Sequence, residues 1–173
     1  MDAEWCHNRA REIVRQVGSR DMRRIAKELN IKVLYNDNFV NLLGMYFCKW
    51  HHRFIILNSN LDDIWQHMVM AHEIGHDQLH RDLAGQGQLQ EFELFRLNSR
   101  TEYEANAFAA HLLMDTDSVY AELKEGCDEV TLARKMNCNI NLALVKLQEM
   151  AKLGYDIRPS DGVDSQFLKR IHV

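Results

Sequence analysis

Two histidines one helical turn apart enclose a glutamate in the run His72-Glu73-Ile74-Gly75-His76. On an α-helix, positions i and i+4 project from one face, so both imidazoles can grip a single ion. Neutral imidazole nitrogens bind zinc at about 2.0 to 2.1 Å, and two of them leave tetrahedral positions for a third protein ligand and a water. Glu73 then lies beside that water, where a carboxylate can take its proton and return it to a leaving amine. Nine histidines and twelve glutamates scattered at random over 173 residues give about 0.03 such patterns. The competing reading is a helix with two surface histidines.

The chemistry needs a helix under the motif and a second element to bring the third ligand. Asn60 or Asp62 can cap a helix from Leu61 through Leu79, whose Val69, Met70, Ile74 and Leu79 give it an apolar side to bury. Gly75 offers a place where a neighbouring element can approach closely. Asn98 or Ser99 can cap a second helix, Arg100 to Met114, and Asp115-Thr116-Asp117 restarts a shorter one. Upstream, Met22, Ile25, Ala26 and Leu29 make one face of a helix over Asp21 to Leu29. Three β-prone runs follow, Ile31 to Tyr35, Leu43 to Cys48 and Arg53 to Leu57, and read as a small antiparallel sheet. Ala84-Gly85-Gln86-Gly87-Gln88 reads as a loop or lid, and helical patterns at Asp128 to Met136 and Asn141 to Leu153 complete the domain.

Composition sets the frame. A chain of 173 residues, 46% hydrophobic and with net charge −4, suits one ordinary globular domain, here residues 1–157, followed by a loosely held tail over 158–173. There is no basic, then apolar, leader and no apolar run approaching a membrane span, and the four cysteines are scattered without a Cys-x-x-Cys pair, so a cytoplasmic protein with reduced thiols is expected. Charge is uneven: residues 9–32 carry eight basic and three acidic side chains, and residues 61–130 four basic and fifteen acidic. The acidic stretch reads as solvated helix faces or as an attraction for a basic protein partner.

The third ligand is sought in Glu102-Tyr103-Glu104-Ala105-Asn106-Ala107-Phe108-Ala109. With His72-Glu73-Ile74-Gly75-His76 ahead of it and Ala110-x-Leu112-Leu113-Met114 behind, this arrangement resembles the ImmA/IrrE family of zinc metallopeptidases from bacteria and their mobile elements, over about Arg23 to Met114. The family commonly has proline after the Leu-Leu-Met run, where this chain has Asp115; the departure touches a helix boundary. The resemblance implies an α+β fold, a small antiparallel sheet packed on a helical zincin-like metallopeptidase core with additional C-terminal helices. It also implies a zinc-dependent endopeptidase of the gluzincin-like kind, with His72, His76 and a glutamate as metal ligands and Glu73 as catalytic base. In gluzincin-like enzymes the ligand glutamate precedes by four residues a polar side chain that supports a metal-bound histidine, which selects Glu102 with Asn106; Glu104, about 200° around the helix, remains the alternative. Zn2+ is the expected ion, one per chain, and Mn2+ suits the same donors. The implied substrate is a regulatory protein, a helix-turn-helix transcriptional repressor of a phage or mobile element, with an extended segment adding to a sheet edge near Arg53 to Asn58. A non-proteolytic metal-binding anti-repressor, or a toxin-antitoxin-type regulator acting by protein binding, is the alternative.

Weaker signals carry less. His80, His111 and Tyr103 are candidates for oxyanion stabilisation or ordinary half-buried polar residues. Cys48-x-x-His51-His52 lacks a matching pair and reads as a turn between strands. The helix-turn-helix rhythm of residues 128–150 lacks a basic footprint: four basic and four acidic side chains balance from Glu125 to Lys152, so no direct nucleic-acid partner is expected. Gly85-x-Gly87 is no phosphate loop, and nothing in the sequence fixes an oligomeric state.

Overall fold

Aspartates start most of the helices. In the computed structural model, which describes residues 2–86, 89–91 and 99–157, Asp2 caps α1 (Ala3–Val17), Asp21 caps α2 (Met22–Glu28) and Asp62 caps α3 (Asp63–Leu79). After α4 (Arg81–Gln86), Ser99 caps α5 (Arg100–Leu113), Asp115 caps α6 (Thr116–Lys124), Asp128 caps α7 (Glu129–Lys135) and Asn139 caps α8 (Ile140–Lys152). Each capping side chain accepts from an amide in the first turn that has no helical partner. Asp115, the departure from the family's proline, is one of these caps: its carboxylate accepts from Ser118 N at 2.9 Å.

The four strands β1 (Lys32–Asn36), β2 (Gly44–Lys49), β3 (His52–Asn58) and β4 (Leu89–Glu91) form one sheet in the order β1-β3-β2-β4. The fold is α+β, and β2 runs antiparallel to both β3 and β4. The all-antiparallel expectation needs one correction: β1 pairs parallel to β3, Lys32 opposite Phe54 through Asn36 opposite Asn58. The chain from β1 passes beyond β3 before β2 begins. Buried Asn58 secures that connection by donating to Phe39 O and Leu42 O at 3.1 and 3.0 Å. A second correction follows, because Arg53 to Asn58 is paired on both sides and cannot be the exposed edge. Ala84 to Gln86, expected to be loop, belong to α4; Gly87 and Gln88 lie outside the described residues, as does the expected tail 158–173.

The helix that carries the motif, α3, packs between the sheet and α5. From Met68 to Asp77 every one of its residues is buried, as befits a helix covered on all sides. Helix α1, absent from the sequence expectations, buries Cys6, Ala10 and Ile13 and packs on α5. Helix α8 closes the other side of α5 and buries the six successive residues Leu142 to Leu147, so it is not free to enter a DNA groove. No helix among the described residues is long and apolar enough to cross a membrane.

One buried charge gives this core a pH signature. Lys146 Nζ lies 2.8 Å from Thr116 Oγ1 and 3.0 Å from His111 Nδ1 inside the α5–α8 contact. Burial, aided by Arg20 and opposed by Asp115 and Glu149, lowers its ammonium from 10.5 to about 7. Between those values the unfolded chain holds a proton there that the folded chain has lost, so this lysine makes stability rise with pH across that window. Urea unfolding at about pH 7 and about pH 9 should show the rise in the wild type and a flatter profile for Lys146→Met; identical profiles would contradict it.

Candidate metal centre

Helix α3 delivers His72 and His76 to one face, and α5 delivers Glu102 in its first turn. The three donor atoms lie within 4.8 Å of one another. His72 Nε2 is 3.0 Å from His76 Nε2 and 3.2 Å from Glu102 Oε2, and His76 Nε2 is 3.5 Å from Glu102 Oε1. The edge of a zinc tetrahedron with bonds near 2.05 Å is about 3.3 to 3.4 Å, the same size as these separations, with the two histidines facing different oxygens of the Glu102 carboxylate. Among the described residues this is the only group of three or more histidine, cysteine or carboxylate side chains so arranged. The imidazoles are buried and the Glu102 side chain is 27% exposed, which leaves an open side. Cys48, His51 and His52 sit instead at the tight β2–β3 turn, where Trp50 and His51 adopt positive φ.

The electrostatics favour donors over proton carriers. Burial, the largest influence on His76, drives its imidazole down to about 4 and so keeps it neutral, the form with a lone pair to give. Burial works against Glu102, but the adjacent His72 and His76 imidazoles outweigh it and hold the carboxyl below the ordinary range. Three electron-rich groups thus converge on one point, where a divalent cation fits the donor set.

Surrounding groups hold the imidazoles in place. His72 Nδ1 lies 2.8 Å from Asn106 Oδ1, the pairing anticipated for Glu102 and its neighbour one turn on. Glu104 stays away from the cluster: its Oε2 is 3.1 Å from His80 Nε2 and its Oε1 accepts from Arg100 Nε at 2.7 Å. His80 Nδ1 in turn lies 3.0 Å from His76 Nδ1. That contact was missed from the sequence, although His80 follows His76 by one helical turn and shares its face. Of the other oxyanion candidates, Tyr103 donates to Glu149 on α8 and His111 faces Lys146, so neither is turned to the cluster. Asp77, fully buried next to His76, accepts from Tyr46 OH at 2.8 Å, Arg53 at 3.0 Å and Arg81 at 3.2 Å, tying the end of α3 to β2 and β3.

Two glycines set the spacing. A Cβ on Gly75 would lie 2.7 Å from Ala105 O and 3.0 Å from Ala105 Cα, so α3 and α5 meet backbone to backbone beside the donors. A Cβ on Gly44 would lie 2.6 Å from Val69 Cγ1 and 3.2 Å from Glu73 Oε1, which places the start of β2 against the fully buried Glu73. Gly75→Ala should push the helices apart, costing about 1 to 3 kcal/mol of stability and weakening zinc binding together. Denaturant midpoints and a zinc titration check this, and unchanged values in both would refute the spacing argument.

A family model described as Peptidase_M78, IrrE N-terminal-like domain, matches residues 26–148. An "Uncharacterized immunity region protein 2" of Bacillus phage phi105 is 34% identical over 90 residues, which cover 52% of this chain and 56% of that relative.

Proposed function

The chain belongs to the Peptidase_M78, IrrE N-terminal-like family, and from that premise we propose that it is a zinc-dependent endopeptidase acting on a regulatory protein, a helix-turn-helix repressor of a phage or mobile element. The observation that carries the reading is the convergence of His72, His76 and Glu102, with donor atoms within 4.8 Å of one another, from two helices packed backbone to backbone. In this proposal those three residues are the metal ligands and Glu73 is the catalytic base. Zinc, when bound, supplies Lewis acidity to the peptide carbonyl and to the attacking water. Glu73 takes the proton of that water on its carboxylate and passes it to the leaving amine, first as base and then as acid. Its place on α3 between His72 and His76, against the start of β2 at Gly44, supports this role. Manganese satisfies the same donors as an alternative ion.

The acidic composition of residues 61–130 and the immunity-region name of the phage relative favour a basic, DNA-binding partner. With β3 paired on both sides, an extended substrate would add instead along β4, the strand paired to Gly44 and an edge among the described residues. Incubating the zinc-loaded chain with the repressor encoded beside its gene, followed by intact-mass analysis, should yield two fragments that sum to the repressor plus one water. An intact repressor held in a stable complex would favour the binding-only regulator.

A further inference from the structure

A histidine can serve as an ion's ligand through Nε2 only if its proton is held at Nδ1. For His76 the neighbouring side chains dictate that arrangement one link at a time. An ionised Glu104 carboxylate only accepts hydrogen bonds, and it already accepts from Arg100 Nε at 2.7 Å. Its second oxygen, 3.1 Å from His80 Nε2, therefore requires the proton of His80 to sit on Nε2. The 3.0 Å contact between His80 Nδ1 and His76 Nδ1 can hold only one proton, and with the proton of His80 on Nε2 it is His76 Nδ1 that donates. The proton of His76 is thereby committed to Nδ1, and its Nε2 lone pair faces His72 and Glu102.

Resting on the metal-site reading above, we propose that His80 and Glu104 are positioning residues that fix the tautomer and ring orientation of His76 through the chain Glu104–His80–His76. The two imidazoles of the site are thus held by different devices, an amide oxygen for His72 and an imidazole backed by a carboxylate for His76. The placement is local to α3: His80 closes that helix, its N–H bonded to His76 O at 2.8 Å, so its ring is held one turn beyond the ring it supports. Glu104, two residues after the proposed ligand, points around α5 to reach the same ring from the other helix. Groups of this kind orient a ligand and raise its donor strength, and their loss costs about 10- to 100-fold in metal affinity.

The test is zinc affinity by chelator competition, with the visible spectrum of the cobalt-loaded chain as a readout of coordination, across the wild-type chain and four variants. His80→Leu should weaken zinc about 10- to 100-fold and Glu104→Ala by about tenfold. The double variant should be no weaker than His80→Leu alone, since Glu104 acts only through His80. His80→Gln should retain most of the affinity and the wild-type cobalt spectrum, because its amide oxygen can accept from His76 and its amide nitrogen can donate to Glu104. If His80→Leu fails to fold, the contrast between Glu104→Ala and His80→Gln carries the same comparison. Affinities within about twofold of wild type for both His80→Leu and Glu104→Ala, or losses that simply add in the double variant, would overturn the inference while leaving the metal site standing. A wild-type chain that binds neither ion would remove both.

Discussion

Glu73→Gln should leave a folded chain that still takes up zinc and lose repressor cleavage by at least about 10²-fold, up to about 10⁴-fold, the range that a positioned general base supplies. The two side chains have the same shape, so the close contact with Gly44 and the packing of α3 are kept. The metal donors are on other residues, so uptake should not change. What is lost is the capacity to accept a proton, since an amide oxygen is a far weaker base than a carboxylate. The measurement is the initial rate of fragment formation with zinc content determined on the same samples. Wild-type rates in the variant would exclude Glu73 as the base. Loss of cleavage with full relief of repression in cells would locate the biological effect in binding.

The second large effect is on stability. Zinc that binds the folded chain and not the unfolded one stabilises it by RT ln(1 + [Zn]/Kd), about 4 kcal/mol at a thousandfold excess over Kd. For a chain of this size each kcal/mol moves the melting temperature by about 2 to 4 °C, so zinc in place of a chelator should raise it by about 8 to 16 °C. In Glu102→Ala the two imidazoles remain but the carboxylate that completes the set is gone, and most of the increment should vanish. Scanning calorimetry of both proteins in zinc and in chelator reads this directly. Equal melting temperatures for the wild type under the two conditions would deny that the folded chain binds zinc preferentially.

Much of this was legible in the residue order because helices announce themselves locally. Asp62 and Ser99, each one of two candidate caps, stand where apolar periodicity begins and cap the helices that follow, and the last helix begins one residue before the expected Asn141, capped by Asn139. The i, i+4 spacing of His72 with His76 likewise needs only helical geometry to be read, whereas the choice of Glu102 with Asn106 over Glu104 came from the family resemblance. What escaped depends on pairing at a distance. Strand periodicity says which faces of Lys32–Asn36 and His52–Asn58 are apolar but not which strand lies beside which, so the parallel pairing and the interior position of β3 could not be read locally. Helix α1 was hidden by its many charges, its buried face reduced to Cys6, Ala10 and Ile13. Ala84 to Gln86 read as a break on account of Gly85, yet continue as α4, which packs on β2. Tyr103, His111 and His80 looked equivalent in sequence, and only the packing of α8 and the closure of α3 separated them, sending two toward α8 and one to His76.

The central claim is that one divalent cation is held jointly by α3 and α5. Diffraction from crystals of the purified, undialysed chain, recorded on both sides of the zinc absorption edge, tests it most directly. A single anomalous peak is expected about 2.0 to 2.2 Å from His72 Nε2, His76 Nε2 and a Glu102 carboxylate oxygen. A map from zinc-supplemented crystals with no peak among those three atoms, or with the ion bound elsewhere, would contradict it.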